Sequence, residues 1–182
     1  MREHGLAHAT TKEIAKAAGF SEATLYKHFQ DKTELFVSVL AERLPRFVPL
    51  VAALTEQAGE RTVAENLRGV VAAAVVFYTD SFPVSASIFA EPKVLAAHRA
   101  SLRRSGAGPH KANVALAGYL LAEQELGRIP AAADPDALAA LLLGACFQHA
   151  FLRQFAEPNS AAPAPEEVAK SLVGALLPAI GG

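Results

Sequence analysis

The chain has 182 residues, 52% of them apolar, a formal net charge of -1 and one cysteine. That length suits one compact domain or two small ones, and the apolar share is enough for a core, which excludes a disordered chain. Near-neutrality excludes an all-over basic nucleic-acid binder but leaves room for a local patch. Cys146 alone allows no internal disulfide, so the reducing cytoplasm is the expected compartment. The N-terminus lacks the apolar run of a secretory signal. No apolar run has the length and flanks of a membrane span. The longest, Ala137–Phe147, stops at Gln148 and His149 and predicts a core or interface helix.

Every element reads as helix, because alanine and leucine dominate and β-branched alternation is absent. Thr10-Thr11-Lys12-Glu13 is a capping box, in which hydroxyl and carboxylate satisfy the first amides reciprocally. It opens a helix with Ile14, Ala15 and Ala18 on one face, ending at Gly19. Ser21 caps a second helix, with Leu25 and Phe29 four apart on the inward face. Asp31-Lys32-Thr33-Glu34 starts a third, with Leu35, Phe36, Val39 and Leu40 inward, interrupted or kinked at Pro45 and Pro49.

Farther on, Thr62–Thr79 carries Val63, Leu67, Val70, Val71, Ala74, Phe77 and Tyr78 at helical spacing. Pro83 and Pro92 are expected to break the next region into short helices, over 84–90 and 93–104. Ser105–Pro109 is a turn, followed by a helix to about Leu126. Asp134-Pro135 marks the next start, for a helix reaching about Phe155. Glu157–Pro165 is a loop, and a last helix spans about Glu166–Leu177.

The first two helices, joined by a tight glycine turn, have the form of a helix-turn-helix. With Leu25 at the centre of the buried face, 100° steps put Ala23 and Lys27 opposite, Thr24 and Tyr26 on the flanks, and His28 toward the buried edge. Ala23 permits close approach to a major groove. Thr24 and Tyr26 can bond phosphate or meet a thymine methyl, and Lys27 can neutralise phosphate or read guanine. Lys32 begins the next helix, where free amides also favour an anion. A catalytic triad needs a concavity that this convex helix does not offer. The bland alternative is a solvated helix face, since Thr, Lys and Glu are ordinary surface residues. Residues 1–44 hold six Lys/Arg against six Asp/Glu, so affinity for a polyanion depends on where the charges point.

The run Thr10 to Phe36, TTKEIAKAAGFSEATLYKHFQDKTELF, closely resembles the DNA-binding signature of the TetR family of bacterial transcriptional regulators. The resemblance implies an all-α fold, with a DNA-binding head at 1–44 and a helical ligand-binding and dimerisation body at 45–182. It implies DNA contacts from Thr11, Lys12, Ser21, Ala23, Thr24, Tyr26, Lys27, His28 and Lys32, over a small core of Ile14, Ala18, Leu25 and Phe29. Two departures accompany it. Glu22 stands at the start of the recognition helix, where an acid repels phosphate; reading a cytosine and a solvated helix-start charge both stay open for it. The chain also begins where the family's first helix should end, which predicts a loosened head and weakened DNA binding for the sequence as written.

In the body, Phe77, Tyr78, Phe82, Phe89 and Tyr119 are candidate walls of an effector pocket, and His98, His110 and Gln124 its candidate polar contacts. The competing role is plain core for the aromatics, and surface or satisfied core for the histidines. Few charges lie nearby, which favours a hydrophobic or amphipathic effector. Ala137–Phe147 is apolar all round and must be covered on every side. Pairing it and the last helix with symmetry mates predicts a homodimer through Leu138, Leu141, Leu142, Ala145, His149, Leu152, Val168, Leu172, Val173 and Leu176, with a buried intramolecular helix as the alternative. Cys146 and His149 lack partners for a metal site, and no cofactor is expected.

The expected function is a ligand-responsive regulator, a repressor binding a palindromic DNA operator as a dimer, with coupling through the helix after Asp31. The alternative is a helical ligand- or protein-binding module that has lost DNA binding. An enzyme is not expected, because the sequence carries no paired-carboxylate or Glu-x-x-His pattern.

Overall fold

The computed structural model describes residues 15–16, 19–29, 34–35, 47–157 and 160–181, and among these every regular element is a helix. They are α1 (Glu22–His28), α2 (Phe47–Glu56), α3 (Val63–Ala90), α4 (Pro92–Ser105), α5 (His110–Glu125), α6 (Pro135–Arg153) and α7 (Pro165–Leu176), closed by a 3-10 turn at Leu177–Ile180. The chain divides into two compact units, Met1–Leu44 with Ser81–Gly108, and Pro45–Asp80 with Pro109–Gly182. Residues 81–108, assigned to the body from sequence, thus cluster with the first unit.

Local chemistry fixes most helix starts. At α3, the Thr62 amide and hydroxyl donate to the Glu65 carboxylate at 3.1 and 2.6 Å, and the Glu65 amide donates back to the Thr62 hydroxyl at 3.2 Å. This reciprocal cap holds the exposed Glu65 carboxyl below the usual carboxylate range, chiefly through the Thr62 hydroxyl. At α6 the Asp134 carboxylate accepts from the amides of Asp136 and Ala137. Gly106, with φ 63°, ends α4 in the left-handed conformation that costs glycine least.

Two prolines act differently from their sequence reading. Pro83 does not break the chain into short helices but lies inside the 28-residue α3. It removes one helical bond, the one residue 83 would give to the carbonyl of Thr79, and the helix continues on either side. Pro49 occupies the first turn of α2, where its missing N–H has no helical partner to lose. The sequence reading recorded a break there and missed α2.

The core of the second unit is formed by Phe47 and Val51 of α2, Leu67, Val70, Val71 and Ala74 of α3, Leu116, Tyr119 and Leu120 of α5, Leu142, Leu143 and Cys146 of α6, and Val168 and Val173 of α7. By length and composition alone, α3 and α6 could cross a membrane, yet both supply this core. Within it, α5 carries the fully buried Glu123. The Glu123 carboxylate accepts from the Gly59 amide at 3.3 Å and pairs with the Arg128 guanidinium at 3.2 Å. Arg128 also donates to the carbonyl of Arg61. Together these bonds tie the loop before α3 to the end of α5.

Candidate nucleic-acid interface and the helical body

The turn into α1 is built from backbone geometry. The amides of Gly19 and Phe20 donate back to the carbonyls of Lys16 and Ala15 at 3.2 and 2.9 Å, and Gly19 has φ 76°, a conformation that disfavours any side chain. Ser21 follows in extended conformation and caps α1, its hydroxyl accepting from the Thr24 amide at 3.2 Å and bonding the Thr24 hydroxyl at 2.8 Å. Phe29 leaves the helix at φ -130°, its amide donating to the Leu25 carbonyl.

No residue of α1 is fully buried. Leu25 and Phe29 are half-buried, as are Glu22 and Thr24, while Ser21, Ala23, Tyr26, Lys27 and His28 are exposed. Ala23, Tyr26 and Lys27 recur at the three- and four-residue spacing of one helix face. His28 corrects its sequence reading: it stands in solvent and not at the buried edge, because α1 ends there and the chain turns into extended backbone at Phe29. Phe20, 62% exposed at the turn, was not singled out from sequence. Its apolar character reads as core, and only its place beside Gly19 hints otherwise. Thr11, Lys12 and Lys32 lie outside the described residues.

The charge order along α1 follows the helix dipole, with Glu22 in the first turn and Lys27 and His28 in the last. The exposed face presents a hydroxyl, a methyl, a phenol, an ammonium and an imidazole. The hydroxyl, phenol, ammonium and imidazole are groups that bond phosphate oxygens and base edges, and the methyl is small enough for close apolar contact.

In the second unit the expected ligand residues separate. Phe77 and Tyr78 join Phe47 and Phe147 in one aromatic group, with Phe47 and Phe77 stacked at 5.0 Å and Tyr78 edge-on to Phe147 at 5.6 Å. Burial raises the Tyr78 phenol above its ordinary pKa. Tyr119 is a core residue instead, fully buried, its hydroxyl accepting from the Asn66 amide nitrogen at 2.9 Å. Burial foremost, with Glu123 beside it, holds this phenol protonated. The Gln124 amide is spent on the carbonyls of Pro130 and Ala133, at 2.7 and 2.9 Å, which closes the turn before α6. His110 is exposed at the start of α5.

Three more of these residues lie in the first unit. Phe82 is half-buried and Phe89 is 70% exposed. His98 is half-buried with its Nδ1 unpartnered among the described residues, and burial lowers its pKa. A shallow groove of about 280 Å³ in the second unit, lined by Val114, Ala117, Gly118, Leu121, Pro135 and Asp136, includes none of the residues expected to bind ligand.

The residues expected at a dimer interface divide the same way. Leu138, Leu142, Val168 and Val173 are buried in the chain's own core, so they are not offered to a partner. Ala145, His149, Leu172 and Leu176 are half-buried, and Leu141 and Leu152 are exposed. The outward face of α6 and its end carries Leu141, Phe147, Phe151, Leu152 and Phe155, between 41% and 75% exposed. Sequence reasoning missed the three phenylalanines because a helix apolar all round gives no moment to say which side faces in. The Cys146 thiol is buried and pushed up to about 12, which keeps it an unreactive core group.

Residues 1–39 match the family model described as bacterial regulatory proteins, tetR family. No curated protein matches the chain. Among solved structures, the chain is similar to a TetR-family transcriptional regulator from Mesorhizobium loti, at 22% identity and a TM-score of 0.73, covering 95% of this chain and 87% of that one. It is similar also to SmeT, the repressor of the Stenotrophomonas maltophilia multidrug efflux pump SmeDEF, at 19% identity and a TM-score of 0.67, covering 98% and 83%. A third is the transcriptional regulator FadR from Bacillus subtilis in complex with stearoyl-CoA, at 18% identity and a TM-score of 0.68, covering 98% and 92%. Residues 1–39 thus match the tetR family model, and nearly the whole chain shares the all-helical fold of these solved structures.

Proposed function

We propose that the protein is a ligand-responsive repressor that binds a palindromic operator as a homodimer, reading DNA through Ser21–His28. The observation that carries this reading is the exposed face of Ala23, Tyr26 and Lys27, on a helix capped at both ends and flanked by exposed Ser21 and His28. Tyr26 is 48% accessible, so its phenol is open to a phosphate oxygen or a base edge. Thr11, Lys12, Glu22, Thr24 and Lys32 complete the proposed contact set, with Thr24 acting partly through its bond to Ser21.

Dimerisation is proposed through the outward apolar face of α6, because an exposed stripe of this kind marks a surface meant to be covered. Two recognition helices related by a two-fold axis suit a palindrome. Repression follows the likeness to SmeT, named as a repressor. A hydrophobic or amphipathic effector is supported by the aromatic group around Phe77 and Tyr78, and by the stearoyl-CoA complex of the Bacillus subtilis regulator. The effector lowers DNA affinity by binding better to the off-DNA form. The helix after Asp31, first expected to carry that coupling, lies mostly outside the described residues; α3, whose residues belong to both units, is the proposed carrier.

Fluorescence anisotropy tests the reading, on duplexes selected from a random library by the protein itself. Tyr26→Ala and Lys27→Ala are each expected to weaken binding to the selected site by about 1–3 kcal/mol, the usual worth of a base-reading contact. Unchanged affinity in both variants sinks the assignment of α1.

A further inference from the structure

α4 carries Lys93, Arg99, Arg103 and Arg104 and no acid, and the sequence holds no Asp or Glu between Glu91 and Glu123. All four cations are exposed, and none makes an ion pair among the described residues. At 100° per residue they fall within an arc of about 140° on one side of the helix, spread over roughly 16 Å of its length. The opposite side carries Val94, Leu95, His98, Ser101 and Leu102, all half-buried. α4 therefore has an apolar inner edge and an unbalanced cationic outer face, in a chain whose net charge is -1.

Helix stability does not account for this face. Arg103 and Arg104, in the last turn, are favoured by the dipole. Lys93 is not, since it sits in the first turn at the positive end. Arg99 and Arg103 are a like-charge pair four apart, an arrangement that weakens a helix. Such a face is stabilised by a polyanion. The compact unit that contains α4 is the one that contains α1, so the cationic face belongs to the DNA-reading unit and not to the helical body.

We propose that the outer face of α4 is a second DNA-contact surface, which binds phosphates of the duplex flanking the site read by α1 and adds affinity without sequence preference. The proposal rests on the DNA-binding reading above. About 16 Å of duplex axis carries roughly five phosphates of each strand, at 3.4 Å of axial rise per phosphate, enough to supply a partner for each of the four cations.

The test uses the full chain and a duplex of about 40 base pairs, roughly four helical turns, carrying a site selected by the protein from a random library. Arg99→Gln, Arg103→Gln and Arg104→Gln are combined in one variant, because glutamine keeps arginine's helix propensity. A second variant carries lysine at the same three positions. The expected result for the glutamine variant is ~10-fold weaker binding at moderate salt, with the slope of log affinity against log salt shallower by about 2 to 3, near 0.9 per lost contact. The lysine variant should keep both values, which separates lost charge from lost folding.

Wild-type binding with a glutamine variant of unchanged affinity and slope overturns the proposal while leaving α1 as the reader. Failure of the wild-type protein to select or bind any duplex overturns both readings. Loss of binding to vesicles of phosphatidylserine and phosphatidylcholine, with DNA binding intact, assigns the face to an anionic membrane surface and also overturns it.

Discussion

The reading helix and the central helix of the second unit are held in place by different means. α1 buries none of its residues, whereas α5 buries Ala112, Leu116, Ala117, Tyr119, Leu120 and Glu123. The bonds described for α1 are short-range: the glycine turn, the Ser21 cap and the return of the Phe29 amide to Leu25. α5 depends on packing and on a buried polar cluster. Packing contributes several kcal/mol per large side chain and local caps about one, so the core around α5 is expected to hold more of the stability and α1 to open before it.

The most severe test of that contrast lies in the core. Leu116→Ala, at a fully buried position, should cost about 3 kcal/mol or more, seen as a lower denaturant midpoint with an unchanged slope. A cost below about 1 kcal/mol would mean that the core repacks freely and that the contrast is overstated. Next is Glu123→Ala, which strands the Gly59 amide and the Arg128 guanidinium. Removing one partner of a buried pair costs about 3–5 kcal/mol; the 28% exposure of the Arg128 side chain puts the expected value at the low end. Combining it with Arg128→Met should recover part of the loss, and strict additivity of the two would deny their coupling.

Smaller effects probe the first unit. Ser21→Ala removes the cap of α1 at a cost of about 1 kcal/mol. The expected signature is faster amide exchange at Thr24 and Leu25 with no change at Leu116 or Leu120; equal change in both places would join the two regions into one cooperative body. The smallest is a pH effect at His98, whose pKa burial lowers in the folded chain. The unfolded chain then takes up its proton first, so stability is flat at neutral pH and falls as pH drops below about 6.5. In His98→Gln, the dependence over that window should be weaker than in the parent, and identical curves would remove His98 from the account.

The sequence was most informative where one residue type permits one geometry. Gly19, Ser21, Gly106 and the Asp134-Pro135 pair marked turns and starts that the structure contains. It was least informative where a residue has two uses. Pro49 and Pro83 read as breaks, yet the first costs nothing in an opening turn and the second costs one bond in a long helix. Tyr119 read as an aromatic wall of a pocket and Gln124 as a polar contact in it, and the polar groups of both are bonded inside the fold. In α6, apolar residues on every side concealed which leucines face the core.

The second unit is assembled from Pro45–Asp80 and Pro109–Gly182, with Ser81–Gly108 of the first unit inserted between them. This order of segments constrains the gene as well as the fold. A single crossover swaps one contiguous end of the chain, so it cannot exchange one whole unit and nothing else. Replacing the second unit intact takes three junctions, near residues 44, 80 and 108, and the middle one must fall within a continuous helix. The aromatic group around Phe77 and Tyr78 is thus altered more easily by point substitution than by exchange of whole modules.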